Sequence, residues 1–183
     1  MQRHAIPAEM LLLKTNHLLL EPQTAAHAAE MFEVLSDPAI YEFENGPPES
    51  LAWLEERYRR LESRRSADGH ELWLNWVVRS VEPGDALGYV QATVYADANA
   101  LIAYEFGSAH WGRGWAREAV EAMLDEIARA HGVTTAGAVF KKANFRSRRL
   151  LQRLGFGPVA GDAFPCPLAG VDEDAMAKPL GPA

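Results

Sequence analysis

HWGRGWAREA, residues 110–119, is the stretch that decides the fold, because a Gly-Arg-Gly turn opens directly into the clearest amphipathic helix of the chain. Ala116, Ala119, Val120, Met123, Leu124 and Ile127 recur at helical spacing on one face, with Glu118, Glu121, Asp125 and Arg129 outside. His131-Gly132 ends this helix. AYEFG before it and VTTAGAVF after it read as strands. Strand, glycine turn, helix and strand make a βαβ unit, so the two strands are expected to lie parallel with a right-handed crossover. The first amides of a helix have no intrahelical partner and carry the positive end of its dipole. Glycine tolerates unusual dihedrals there and lets a bulky anion approach the backbone. Gly112, Arg113, Gly114, Trp115 and Ala116 therefore suit a phosphate cradle, with Arg113 adding a cation, although a GxG can also be only a tight turn. Arg117 lies in the first helical turn, where the dipole favours anions, an oddity that a bound phosphate would relieve. Neither GxxxxGK[ST] nor a third glycine in dinucleotide-fold spacing occurs, which sets aside those two phosphate motifs.

Working outward, Leu18–Leu20 reads as a strand ended by Pro22, after a stretch, 1–14, taken as a flexible N-terminal extension. Thr24 caps a helix carrying Ala28, Met31, Phe32 and Leu35. The loop ENGPPES precedes a second helix with Leu51, Leu54, Tyr58 and Leu61. ELWLNWVVRSV, ALGYVQATVYA and ALIAYEFG then suggest an antiparallel meander. Beyond the βαβ unit, FRSRRLLQRL follows Asn144 as a short helix stopped by Gly155, and FGPVA and AMAKPL supply final strands. The fold expected is α+β, three layers deep, with a mixed and mostly antiparallel sheet in a single domain spanning 1–183.

A hydrophobic fraction of 48% fits an ordinary globule, and no apolar run approaches the ~20 residues of a membrane helix. The N-terminus lacks the pattern of a signal peptide, and one cysteine, Cys166, suits a reducing compartment, so a cytoplasmic location is expected. A net charge of −7 argues against general nucleic-acid binding. Between Glu105 and Gly157, however, nine Lys/Arg face five Asp/Glu, so one basic segment sits in an acidic chain and should attract an anion. No His/Cys/Asp cluster has metal-ligand spacing.

From Ala103 to Phe156 the chain resembles the GNAT superfamily of acyl-CoA-dependent N-acyltransferases, and within it the branch of ribosomal-protein N-terminal acetyltransferases. The family's phosphate loop, Q/R-x-x-G-x-G/A, falls on Trp111 to Ala116, with Trp111 departing from the usual first residue. The second signature, N-x-x-S followed by L-G-F, falls on Asn144, Ser147 and Leu154-Gly155-Phe156. The resemblance implies acetyl-CoA as cosubstrate, lying where the two parallel strands splay apart. Its pyrophosphate would meet the amides of Gly112 to Ala116, and its pantetheine arm would pair with the strand ending in Phe106 and Gly107. Arg117 and Asn144 complete the expected cofactor contacts. The acceptor would be a primary amine, of a small molecule or a protein N-terminus, acetylated by a monomer or a homodimer without a membrane partner.

The remaining residues are each weighed against a plainer role. Asn144 suits a helix cap as well as a cofactor hydrogen bond. Ser147 shares a helical face with Leu150, Leu151 and Leu154, so its hydroxyl points inward, either to bond a carbonyl or to protonate the departing sulfur. The resemblance leads one to look for a tyrosine further along this helix, and Leu150, Leu151 and Gln152 stand there instead. Glu105, which alternation sets on the face opposite Tyr104 and Phe106, is the candidate to take the amine's proton or is a structural carboxylate. His110 could serve too, though packing explains it as well. Arg146, Arg149 and Arg153 form a stripe read as solvated, while Lys141, Lys142 and Arg146 could meet the 3′-phosphate. Cys166, between two prolines and without an adjacent base, is set aside as a nucleophile. Glu42, Glu44 and Glu49 would suit a cationic acceptor or a solvated loop. The alternatives to an enzyme are a non-catalytic acyl-CoA-binding module on the same fold and, more remotely, an unrelated phosphate-binding hydrolase.

Overall fold

The computed structural model describes residues 9–43, 45–159 and 170–181. Its elements run β1 (Leu13–Lys14), β2 (Leu18–Pro22), α1 (Ala28–Leu35), α2 (Leu51–Leu61), β3 (Glu71–Ser80), β4 (Ala86–Tyr95), β5 (Asn99–Phe106), α3 (Trp115–His131), β6 (Thr135–Lys141), α4 (Phe145–Arg153), β7 (Gly157–Pro158) and β8 (Glu173–Pro179). The eight strands form one sheet in the order β1-β2-β3-β4-β5-β6-β8-β7. Every neighbouring pair is antiparallel except β5–β6, which is parallel and joined through α3. Cys166 and Glu44 lie outside the described residues.

Of the stretch 1–14, the end joins the sheet. Leu13 and Lys14 pair with Leu20 and Leu19, and the indole of Trp76 donates to the Leu11 carbonyl at 3.1 Å. Met10 and Leu13 pack on the core, so burial of apolar surface orders this stretch.

Local signals explain the helix ends. Ser50 caps α2 by accepting from the Trp53 amide at 3.1 Å, and Asn144 caps α4 by accepting from the Ser147 amide at 3.0 Å. Thr24 opens a 3₁₀ turn, Ala25–His27, that leads into α1. Strand alternation then divides the core into two. Leu72, Leu74, Trp76 and Val78 of β3 point to the face covered by α3 and α4, where they join Val90, Ile102, Val120 and Leu151. Val77 points the other way, into a smaller cluster with Met31, Leu35, Leu54 and Tyr58 under α1 and α2. Helices on both faces make three layers.

Candidate functional site

The parallel pair is short. Asn99, Ala100 and Leu101 align with Thr135, Ala136 and Gly137, and pairing stops there, although β5 runs on to Phe106 and β6 to Lys141. Each strand keeps its outer neighbour past the split: β4 follows β5 to Phe106, and β8 follows β6 to Lys141. The two strands therefore diverge as braced halves of the sheet. Close packing of the braces helps: a Cβ on Gly88 would lie 2.1 Å from the Glu105 carbonyl oxygen, so only glycine lets β4 hug the end of β5. The split opens a cleft of about 1150 Å³, lined from both faces of the sheet.

At one mouth of this cleft stands the quoted loop. Gly112 and Gly114 have φ of +77° and +83°, and a Cβ on either would meet nothing within 4 Å. Their glycine character thus answers a backbone requirement, with open space beyond it. The first intrahelical bond of α3 runs from the Glu118 amide to the Gly114 carbonyl at 3.1 Å, which leaves the Trp115, Ala116 and Arg117 amides facing outward at the positive helix end. Trp111, the departure from the family pattern, donates its indole N–H to the Phe106 carbonyl at 2.8 Å and so ties the loop to the end of β5. Gly107 is buried, its amide bonded to the Leu87 carbonyl at 3.0 Å. Arg113 lies over the Trp115 ring at 5.0 Å, and Arg117 pairs with Glu121 at 2.9 Å on the exposed side. His110 is half-buried beside Trp115, and burial, helped by the Arg113 charge, pulls its pKa below the usual imidazole value.

Deeper in, the Ser147 hydroxyl is 2.8 Å from the hydroxyl of Tyr104. Burial pushes the Tyr104 phenol up to about 12, against a smaller opposite pull from Ser147, so it stays protonated at neutral pH. Sequence reasoning looked for a tyrosine along α4 and missed this one on β5. Alternation was the available signal: it sets Tyr104 on the face opposite Glu105, toward α4. Glu105 faces the α1/α2 side, where the Tyr89 hydroxyl donates to it. Because the cleft passes through the sheet, Tyr104 and Glu105 both line it from opposite faces.

Of Lys141, Lys142 and Arg146, one lines the cleft. Lys141 is held by Asp172 and Glu173, and Lys142 donates to the Val171 carbonyl at 2.8 Å; neither lines the cleft. Arg146 does line it, pairing with Glu42 at 2.6 Å and lying over the Trp111 ring at 4.7 Å. It bridges α4, the glycine loop and the α1–α2 connection.

A family model described as an acetyltransferase (GNAT) domain matches residues 17–157. The uncharacterized N-acetyltransferase YoaA of Bacillus subtilis is 23% identical over 147 residues, covering 79% of this chain and 82% of that protein. Among solved structures, the ribosomal-protein-S5-alanine acetyltransferase of Vibrio fischeri superposes with a TM-score of 0.76 at 17% identity, over 93% of this chain and 97% of that one. RimL, a ribosomal L7/L12 alpha-N-protein acetyltransferase solved in complex with coenzyme A, gives 0.77 at 12% identity, over 93% and 98%. The split sheet, the glycine-rich helix mouth and the matched family model lead to one assignment: this chain belongs to the GNAT family of acetyltransferases.

Proposed function

We propose that the protein transfers an acetyl group from acetyl-CoA to a primary amine by direct attack within a ternary complex. The observation that carries this is the split between β5 and β6, opening beside the exposed, glycine-lined mouth of α3. The fit of the cofactor rests on the chain itself: outward amides at a positive helix end, left-handed glycines with open space beside them, and a β5 that, among the described residues, is no longer paired with β6 after Leu101. Phe106, Gly107 and Gly112 to Arg117 would hold the pyrophosphate and pantetheine, and Asn144 would add its side-chain N–H while its oxygen caps α4.

Acetyl-CoA, when bound, supplies a thioester carbonyl and a thiol leaving group. As the nitrogen–carbon bond forms and the carbon–sulfur bond breaks, the amine gives up one proton and the sulfur takes one. Glu105 accepts the first, directly or through water. Ser147 donates the second, and Tyr104 steadies the serine from behind. A binding module on the same fold has no need of a carboxylate and a hydroxyl pair meeting in one cleft, so that arrangement favours the enzyme.

Calorimetric titration with acetyl-CoA tests the cofactor, with Gly114→Glu as the control expected to abolish binding. A thiol-release assay on Glu105→Gln and Ser147→Ala then tests the proton transfers. Each variant should lose roughly 100-fold in kcat while keeping its affinity for acetyl-CoA. Full turnover in both would remove these residues from the chemistry, and a well-folded protein that ignores acetyl-CoA would end the reading.

A further inference from the structure

The α1/α2 side of the cleft has a floor that core packing does not explain. Strand register puts Asn75, Gln91 and Ala103 in one row across β3, β4 and β5, and the Gln23 amide extends the row by donating to the Asn75 carbonyl at 2.9 Å. Three amide side chains thus lie where a sheet covered by helices ordinarily carries apolar residues. Gln23 and Asn75 are only 4% and 5% exposed. The next row holds Val77, Tyr89 and Glu105, and Tyr58 of α2 lies above it. Among the described residues the Gln23 side-chain nitrogen and the Tyr58 hydroxyl are buried without a hydrogen-bond partner. Buried donors in that state call for an acceptor atom, and both residues line the cleft.

Arg57 brings a cation to this chamber from α2. It is half-buried, lines the cleft, lies over the Trp53 ring at 5.6 Å and makes no ion pair among the described residues. Burial raises the phenols of Tyr58 and Tyr89, and beyond burial both feel Arg57 and Glu105 with opposite signs. Arg57 on α2 and Glu105 on β5 both line the cleft, so a guanidinium and a carboxylate border the same spot. That spot suits a molecule carrying both charges close together. A polyamine would meet Arg57 as a repelling neighbour, and a peptide N-terminus would bring a neutral amide to a guanidinium shaped for a carboxylate.

We propose that the acceptor is a free amino acid, its carboxylate gripped by Arg57, its amine turned to Glu105 and its polar atoms met by Gln23 and Tyr58. This rests on the acetyl-transfer reading above, and the test separates the two.

The full-length protein is first titrated with acetyl-CoA. Thiol release is then followed with the twenty proteinogenic amino acids, their α-amides, spermidine and the tripeptide Ser-Ala-Ala. Thermal shift by the same compounds is read on protein loaded with CoA, where no turnover occurs. The expected result is turnover and thermal shift with at least one free amino acid, and roughly 100-fold lower kcat/KM for its α-amide. Arg57→Gln should remove most of that preference, bringing acid and amide close together while acetyl-CoA affinity is kept. Arg59→Gln, on the same helix but exposed and paired with Glu56, should change nothing. Equal use of acid and amide, a preference for spermidine or the tripeptide, or no response to any free amino acid by a protein that binds acetyl-CoA would overturn the proposal and leave the acetyl-CoA reading standing. Failure to bind acetyl-CoA would instead remove the reading on which it rests.

Discussion

Gly114 and Gly132 bracket α3 with similar left-handed backbones, φ +83° and +66°, yet only Gly114 borders the cleft. A Cβ meets no protein atom within 4 Å at either, so alanine should cost each about 1 kcal/mol of backbone strain and no more. Their effects on ligand should part company. Gly114→Ala is expected to weaken acetyl-CoA at least tenfold, whereas Gly132→Ala leaves the affinity alone; melting curves and calorimetry on the pair decide it. Equal affinities would mean that the open space beside Gly114 is not where phosphate sits. Gly114 was legible in the sequence because its spacing before an amphipathic run has a physical meaning of its own. Tyr104, Arg57 and Gln23 were not: on the linear chain a tyrosine in a strand is core, an arginine in a helix is surface, and a glutamine after a proline is loop. Strand register is what builds the row across β3, β4 and β5 that Gln23 extends.

At the scale of elements, α3 is joined to the N-terminal hairpin by Glu118 in its first turn. That carboxylate accepts from the Thr15 hydroxyl at 2.6 Å and from the amide and ring of His17, both at 3.0 Å. Burial works to raise its pKa, but these hydrogen bonds outweigh it and hold Glu118 below the usual glutamate value of 4.5. A depressed folded pKa means a contribution present above about 4.5 and lost as pH falls through the lower, folded value. Glu118→Gln should therefore melt a few degrees below the parent at pH 7, about 2–4 °C per kcal/mol for a chain of this size. The gap should close as the pH falls below 4.5. A gap that stays constant down to acid would assign the loss to shape and not to charge. The helices themselves were readable from apolar spacing and caps. Where the parallel ladder stops was not, since residues 102–106 are as strand-like as 99–101. Past Leu101 and Gly137 each strand keeps its outer neighbour, β4 or β8, a tertiary arrangement that no local pattern encodes.

For the whole molecule, the cleft lies between two braced halves that share three residue pairs at its closed end and the crossover of α3. A ligand reaching across both halves adds the contact that the strands give up. At a hundredfold excess over its Kd, acetyl-CoA should add about 2.7 kcal/mol to the folded state and raise the melting temperature by about 5–10 °C. The Gly114→Glu variant should show no rise, and an equal rise in both would place the ligand elsewhere. The strand order has one more consequence, for the order in which the chain is made. β8 is synthesised after β7 yet inserts between β6 and β7, and among the described residues it is the strand to which β7 is paired. On the ribosome, β6 therefore gains this neighbour only after Glu173–Pro179 has left the exit tunnel. One bank of the groove thus depends on a segment that follows every signature residue, so a chain halted before Glu173 would keep its motifs and lack that brace.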